Sequence, residues 1–174
     1  MSEPFADVLT VGGRSNSLGR VDEVVAIVLA DRSRLEELYA CLFDEDAWVR
    51  MRAADALEKV CREAPDSLLP YIDRFAAELT GSTQPSIRWH LAQIYRQVPL
   101  TAGQKAFAIG WLEGLLAEPG LDWIVAANAM ETLAAFVRDG SVPVQQVAPL
   151  FEGQRRHRSR AVVRRADRLL SELS

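Results

Sequence analysis

Apolar residues recur at i, i+4, i+7, i+8 and i+11 in two stretches of the chain. The first is Val49, Ala53, Ala56, Leu57 and Val60, and the second is Ile87, Leu91, Ile94, Tyr95 and Val98. This spacing makes one stripe on a helix and predicts that each stretch is helical with one buried face. A shift of 38 residues superposes the two, and a further 38 brings in Val125, Ala129, Leu133 and Phe136. A step of 37 then reaches a weaker fourth copy through Val162, Ala166, Leu170 and Leu173. The start signals share this register. Asp46, Gln84, Asp122 and Ser159 take equivalent places, and Asp and Ser side chains accept from orphan backbone N–H groups at a helix start.

Another helical pattern precedes each of these second helices. Ser33 with Glu36 and Thr101 with Gln104 have capping-box spacing, Asp66 and Ser141 open the other two, and Gly81, Gly120 and Gly140 punctuate ends. Only "DVLTV" near the start hints at strand alternation. Helix pairs repeating every 37–38 residues define an all-α solenoid, in which a pair buries its face by stacking on its neighbours. Val49, Ala53, Leu57, Ile87, Leu91, Ile94, Val125, Ala129 and Leu133 are therefore expected in the core.

The stretch "LFDEDAWVRMRAADAL" (42–57) resembles the D-x-D-x-x-V-R-x-x-A-x-x-A-L pattern of HEAT repeats, and "SIRWHLAQI" (86–94) matches it in part. The resemblance covers about residues 31–173 and extends to small bacterial HEAT-repeat proteins. It implies a right-handed α-solenoid of about four helix pairs, at about 31–62, 66–98, 101–138 and 141–173, with Pro70 and Pro149 in first helices. It also implies a ladder between repeats, with Asp44 in the turn and Arg50 and Arg88 early in the second helices. Ala126 and Val163 stand where the third and fourth arginines belong, so the ladder is expected to stop there. Residues 20–174 are read as a single domain. Within it, 20–30 is a capping helix that Ser17 is expected to start, and 1–19 is a poorly ordered or loop extension.

With 174 residues, 49% of them apolar, the chain is long enough for one domain with a real core. Its net charge is −4, yet residues 152–174 hold seven arginines against three acids. The body has no overall attraction for nucleic acid, and only the last segment is locally basic. The start lacks a basic n-region followed by an apolar run, and no apolar stretch is long enough to span a bilayer. Cys41 and Cys61 sit in apolar helical patterns and are read as buried free thiols, which suits a cytoplasmic protein.

Two polar rows run along the second helices. One is Arg52, His90, Asn128 and Arg165, and the other, three residues on, is Asp55, Gln93, Glu131 and Arg168. Residues three or four apart share a helix face, and in solenoids the second helices line the concave binding surface. Trp48 and Ile124 lie one turn earlier and give that surface an apolar edge. The expected function is a non-enzymatic scaffold or adaptor binding a protein or peptide there, with Arg52, His90 and Asn128 at least partly exposed. A row of solvated surface charges is the plainer alternative.

No nucleophile at a strained turn, H-E-x-x-H or Cys/His cluster is present, so no catalytic residue, cofactor or metal is expected. Two other functions compete. HEAT-like alkylpurine DNA glycosylases resemble longer, basic solenoids, whereas this chain is mostly acidic and nucleic acid is not expected to bind. A self-associating structural subunit is the other, and the chain is expected to be a monomer or weak homo-oligomer. "VGGRSNSLGR" (11–20) lacks the spacing of a phosphate loop. "RRHRSR" (155–160) is a turn read by default as a solvated charge run, with docking to an acidic protein surface or polyanion as the alternative.

Overall fold

The computed structural model describes residues 3–12 and 17–173, and among these it contains ten α-helices and no strand. They are α1 (Phe5–Thr10), α2 (Val21–Ala30), α3 (Leu35–Ala40), α4 (Ala47–Glu63), α5 (Ile72–Glu78), α6 (Pro85–Gln97), α7 (Ala102–Ala117), α8 (Trp123–Arg138), α9 (Val144–Gln154) and α10 (Arg160–Leu173). The pairs α3/α4, α5/α6, α7/α8 and α9/α10 occupy the four repeats expected from the sequence. Their second helices pack in order, α4 on α6, α6 on α8 and α8 on α10. In the other layer α7 lies between α5 and α9.

Residues 1–19 are not simply loop. Phe5–Thr10 form α1, which takes in most of the suspected strand and buries Phe5, Val8 and Leu9. Helix α2 packs on α4 as α4 packs on α6, so α1 and α2 make a shortened fifth pair that closes the first end of the stack. Alternation over so few residues cannot separate strand from helix, and burial against α3 and α4 decided the outcome.

The nine expected core residues are all buried. Full burial of a side chain such as Leu57 or Leu133 contributes roughly 1.5–3 kcal/mol, and the helical stripe repeats that gain in each pair. The caps follow local chemistry. The Asp46 carboxylate accepts from Trp48 N–H, and that of Asp122 accepts from Ile124 and Val125 N–H. Thr101 and Gln104 close both arms of a capping box. Ser33 does not cap with Glu36. Asp31, two residues earlier, accepts from Ser33 N–H and starts a 3-10 turn. Ser17 is not the cap of α2 either, since Arg20 holds that place, without a side-chain capping bond. Pro143 stands before α9, so Ser141 lies outside that helix and its N–H donates to Asp139.

Arg50 and Arg88 each bond within their own turn and across to the next. Arg50 donates to the carbonyls of Asp44 (2.6 Å) and Glu45 (2.9 Å) and across to Gln84 Oε1 (2.7 Å) in the next turn. Arg88 repeats the pattern, donating to the Ser82 carbonyl at 2.8 Å and, with both terminal nitrogens, to the carboxylate of Glu118. Asp44 therefore contributes its carbonyl to the rung, while its carboxylate accepts from Asp46 N–H within the turn. Where Ala126 replaces the arginine, a residue of the following turn takes over. His157 Nε2 lies 2.8 Å from the Leu121 carbonyl oxygen, and its Nδ1 accepts from Ser159 N–H, so Nε2 carries the proton and donates.

Candidate partner-binding surface

The two polar rows divide on folding. Arg52 is only 1% exposed, contrary to the expected concave position. Its guanidinium donates to the carbonyls of Leu9 (2.7 Å), Thr10 (3.2 Å) and Ser17 (2.9 Å). The last carbonyls of α1 have no partners of their own within the helix, and the planar fork of an arginine fits several at once. Gly12 and Gly19 of "VGGRSNSLGR" serve the same closure. A Cβ on Gly12 would sit 2.8 Å from the Arg52 guanidinium, and one on Gly19 (φ 55°) would sit 2.2 Å from the Val11 oxygen. Gly13 lies outside the described residues.

His90 is also buried, at 7% exposure. Its Nδ1 lies 3.0 Å from Gln93 Oε1, and its Nε2 is 3.9 Å from Asp55 Oδ1, beyond hydrogen-bond reach. A cavity of about 10 Å³ walled by Leu42, Leu57, Phe75 and Leu91 touches the ring. Burial lowers the pKa of His90 below its ordinary value of 6.5, against the pull of Asp55 and Glu58. This part of the row is a polar seam between α4 and α6. Lys59 bridges Asp55 (3.1 Å) and Asp22 (2.7 Å). Burial raises the pKa of Glu58, but bonds from Arg62 and Gln97 outweigh it and hold the group below the usual range.

The remaining residues are half-buried or exposed. Asn128 returns its Nδ2 to the Ile124 carbonyl at 2.9 Å. Glu131 on α8 binds Arg165 at 3.2 Å and also Arg168 on α10, which continues to Glu172 at 2.7 Å. Together Asp55, Gln93, Asn128, Glu131, Arg165 and Arg168 form a polar band crossing the repeats.

Beside that band the apolar edge is the more open feature. Trp48 is 40% exposed. It shares with Met51, Pro85 and Trp89 a cleft of about 350 Å³ between the starts of α4 and α6. The Trp89 ring is half-buried, 5.3 Å from that of His90, so the seam behind it fixes one wall of the cleft. Trp123, at the start of α8, is 49% exposed and was not anticipated. Its signal was its place directly after the Asp122 cap, where a side chain precedes the buried stripe.

Among the described residues, no group of three or more His, Cys, Asp or Glu could hold a metal ion. Cys41 and Cys61 are free and buried, and burial pushes their thiols up to about 11 and about 12. Among the described residues, no helix is long and apolar enough to cross a membrane.

A stacked array of helix pairs, tied turn to turn by arginines, is a helical-repeat module of the kind used in protein interactions. The family model for the HEAT repeat domain matches residues 13–107, and the chain belongs to that family. No curated protein and no solved structure matches the chain.

Proposed function

We propose that the protein is a non-enzymatic adaptor that binds a peptide or protein segment across the starts of its second helices. The Trp48–Met51–Trp89 cleft is the anchor, and the polar band from Asp55 to Arg168 is the margin. The observation that carries this is the cleft itself: two tryptophans and a methionine on a rigid frame, one ring substantially exposed. Tryptophan dominates the energetics of interfaces because it brings a large, stiff apolar surface at low entropic cost. Both histidines support the non-enzymatic reading, since each has a ring nitrogen committed to a structural contact. Buried free thiols suit a reducing cytoplasm.

The test is selection of binding peptides from a random library against the 174-residue chain, followed by affinity measurement on Trp48→Ala. Trp48 is exposed enough that its loss should leave thermal unfolding within about 0.5 kcal/mol of the parent. A hot-spot role predicts at least about a tenfold loss of affinity. Selected peptides that bind Trp48→Ala at full strength would move the site off this cleft.

A further inference from the structure

Charge is sorted along the axis of the stack. The first 46 residues of the sequence carry ten acidic and four basic side chains, whereas 152–174, at the far end, carry three acidic and seven basic ones. At the far end part of the positive charge is unmatched. Arg155 is held by Glu152 and Asp167, and Arg165 and Arg168 by Glu131. Arg156, Arg158, Arg160 and Arg164 are exposed and have no ion-pair partner among the described residues. The His157 bonds to the Leu121 carbonyl and Ser159 N–H fix the turn that presents them.

The first end carries the opposite surplus, although Arg32 there is also exposed with no ion-pair partner among the described residues. One lysine, Lys59, serves both Asp22 and Asp55, and one arginine, Arg20, serves both Glu3 and Glu23. Asp7 is exposed with no ion-pair partner among the described residues. The two ends cannot neutralise each other within one molecule. Helices α2 and α10 are the outermost of a row of five, and with four spacings of 8–10 Å they stand roughly 30–40 Å apart. Charges at that separation are screened to almost nothing at ordinary salt.

We propose that the arginine end of one molecule docks on the acidic end of a second copy, with α10 facing α2, so that the protein forms salt-sensitive head-to-tail chains. The occupant is a second copy because each end is the electrostatic complement of the other. The contact joins two different surfaces, so a docked pair keeps one free end of each kind for the next copy. It lies at the ends of the stack and is independent of the Trp48 cleft.

Sedimentation velocity of the 174-residue chain over a range of concentrations tests this. The average mass should rise with concentration at about 0.01 M salt and return to that of the monomer at about 1 M. Arg158→Glu with Arg160→Glu should stay monomeric at low salt, as should Asp7→Lys with Asp22→Lys. A mixture of the two reversed variants should associate again, one to one, which also shows that both have folded. A chain that is monomeric at every concentration in low salt overturns the proposal, as does self-association unaffected by the arginine reversals. A monomer that binds heparin through the same arginines overturns it too and assigns the patch to a polyanion.

Discussion

Arg52 Nη1 donates to the carbonyl oxygen of Leu9 at 2.7 Å, joining residues 43 positions apart. The bond ties α4 to the end of α1, and the same guanidinium reaches across to Ser17. Hydrogen bonds to a charged group contribute about 1.5–3 kcal/mol each, and buried carbonyls left without donors add their own cost. Arg52→Ala should therefore destabilise the protein by about 2–4 kcal/mol, read by urea unfolding. Arg52→Lys should rescue little, because one ammonium cannot span three carbonyls. A loss within about 0.5 kcal/mol would show that the N-terminal pair is held by its apolar contacts alone.

The two ladder rungs should differ in strength. Arg50 is half-buried and serves two carbonyls and Gln84, so Arg50→Ala should cost about 2 kcal/mol. Glu118 is exposed and contributes only its ion pair with Arg88, so Glu118→Ala should cost less than about 1 kcal/mol. Equal losses in urea unfolding would mean that the carbonyl contacts carry no weight.

The repeat was legible because period and burial are the same fact. Val49, Ile87 and Val125 recur at 38 residues since each must fill the same space between stacked pairs. The site was legible only in part. Arg52 and His90 share a register with Asn128, but register fixes the helix face and not what covers it. At Arg52 the cover is the end of α1 together with Ser17, and at His90 it is the apolar wall of Leu42, Phe75 and Leu91. Neither contact has a periodic signature. The Arg50 rung was found from its motif, whereas the His157 substitute for the third rung comes from outside the motif and left no pattern to read.

Tyr95 illustrates a group that the fold tolerates rather than uses. It is 1% exposed, its ring packs edge-on against Trp111 at 5.8 Å, and its hydroxyl has no hydrogen-bond partner among the described residues. A buried hydroxyl without a partner carries a desolvation cost of about 1–3 kcal/mol, which Tyr95→Phe removes while keeping the ring contact. That variant should be more stable by about 1 kcal/mol, or about 2–4 °C in Tm for a chain of this size. A clear drop in Tm would mean that the hydroxyl is bonded in solution.

His90 predicts how the protein responds to acid. Burial among Leu42, Leu57, Phe75 and Leu91 favours the neutral ring, so the folded pKa lies below the ordinary 6.5. Asp55 and Glu58 pull the other way, while Lys59 adds to the depression. As pH falls through about 6.5 the unfolded chain takes up a proton that the folded chain refuses, and stability must fall. The contribution is fully present above that pH and declines below it, by at most about 1.4 kcal/mol per pH unit, until the folded ring also titrates. Exposed carboxylates such as Glu23, already held low by Arg20, act at more acidic pH and do not blur the window. His90→Gln cannot titrate, so its urea midpoint should change less than that of the parent between pH 7 and about pH 5. Parallel profiles for the two proteins would place the acid sensitivity elsewhere and show that the α4–α6 seam accepts a charged imidazole.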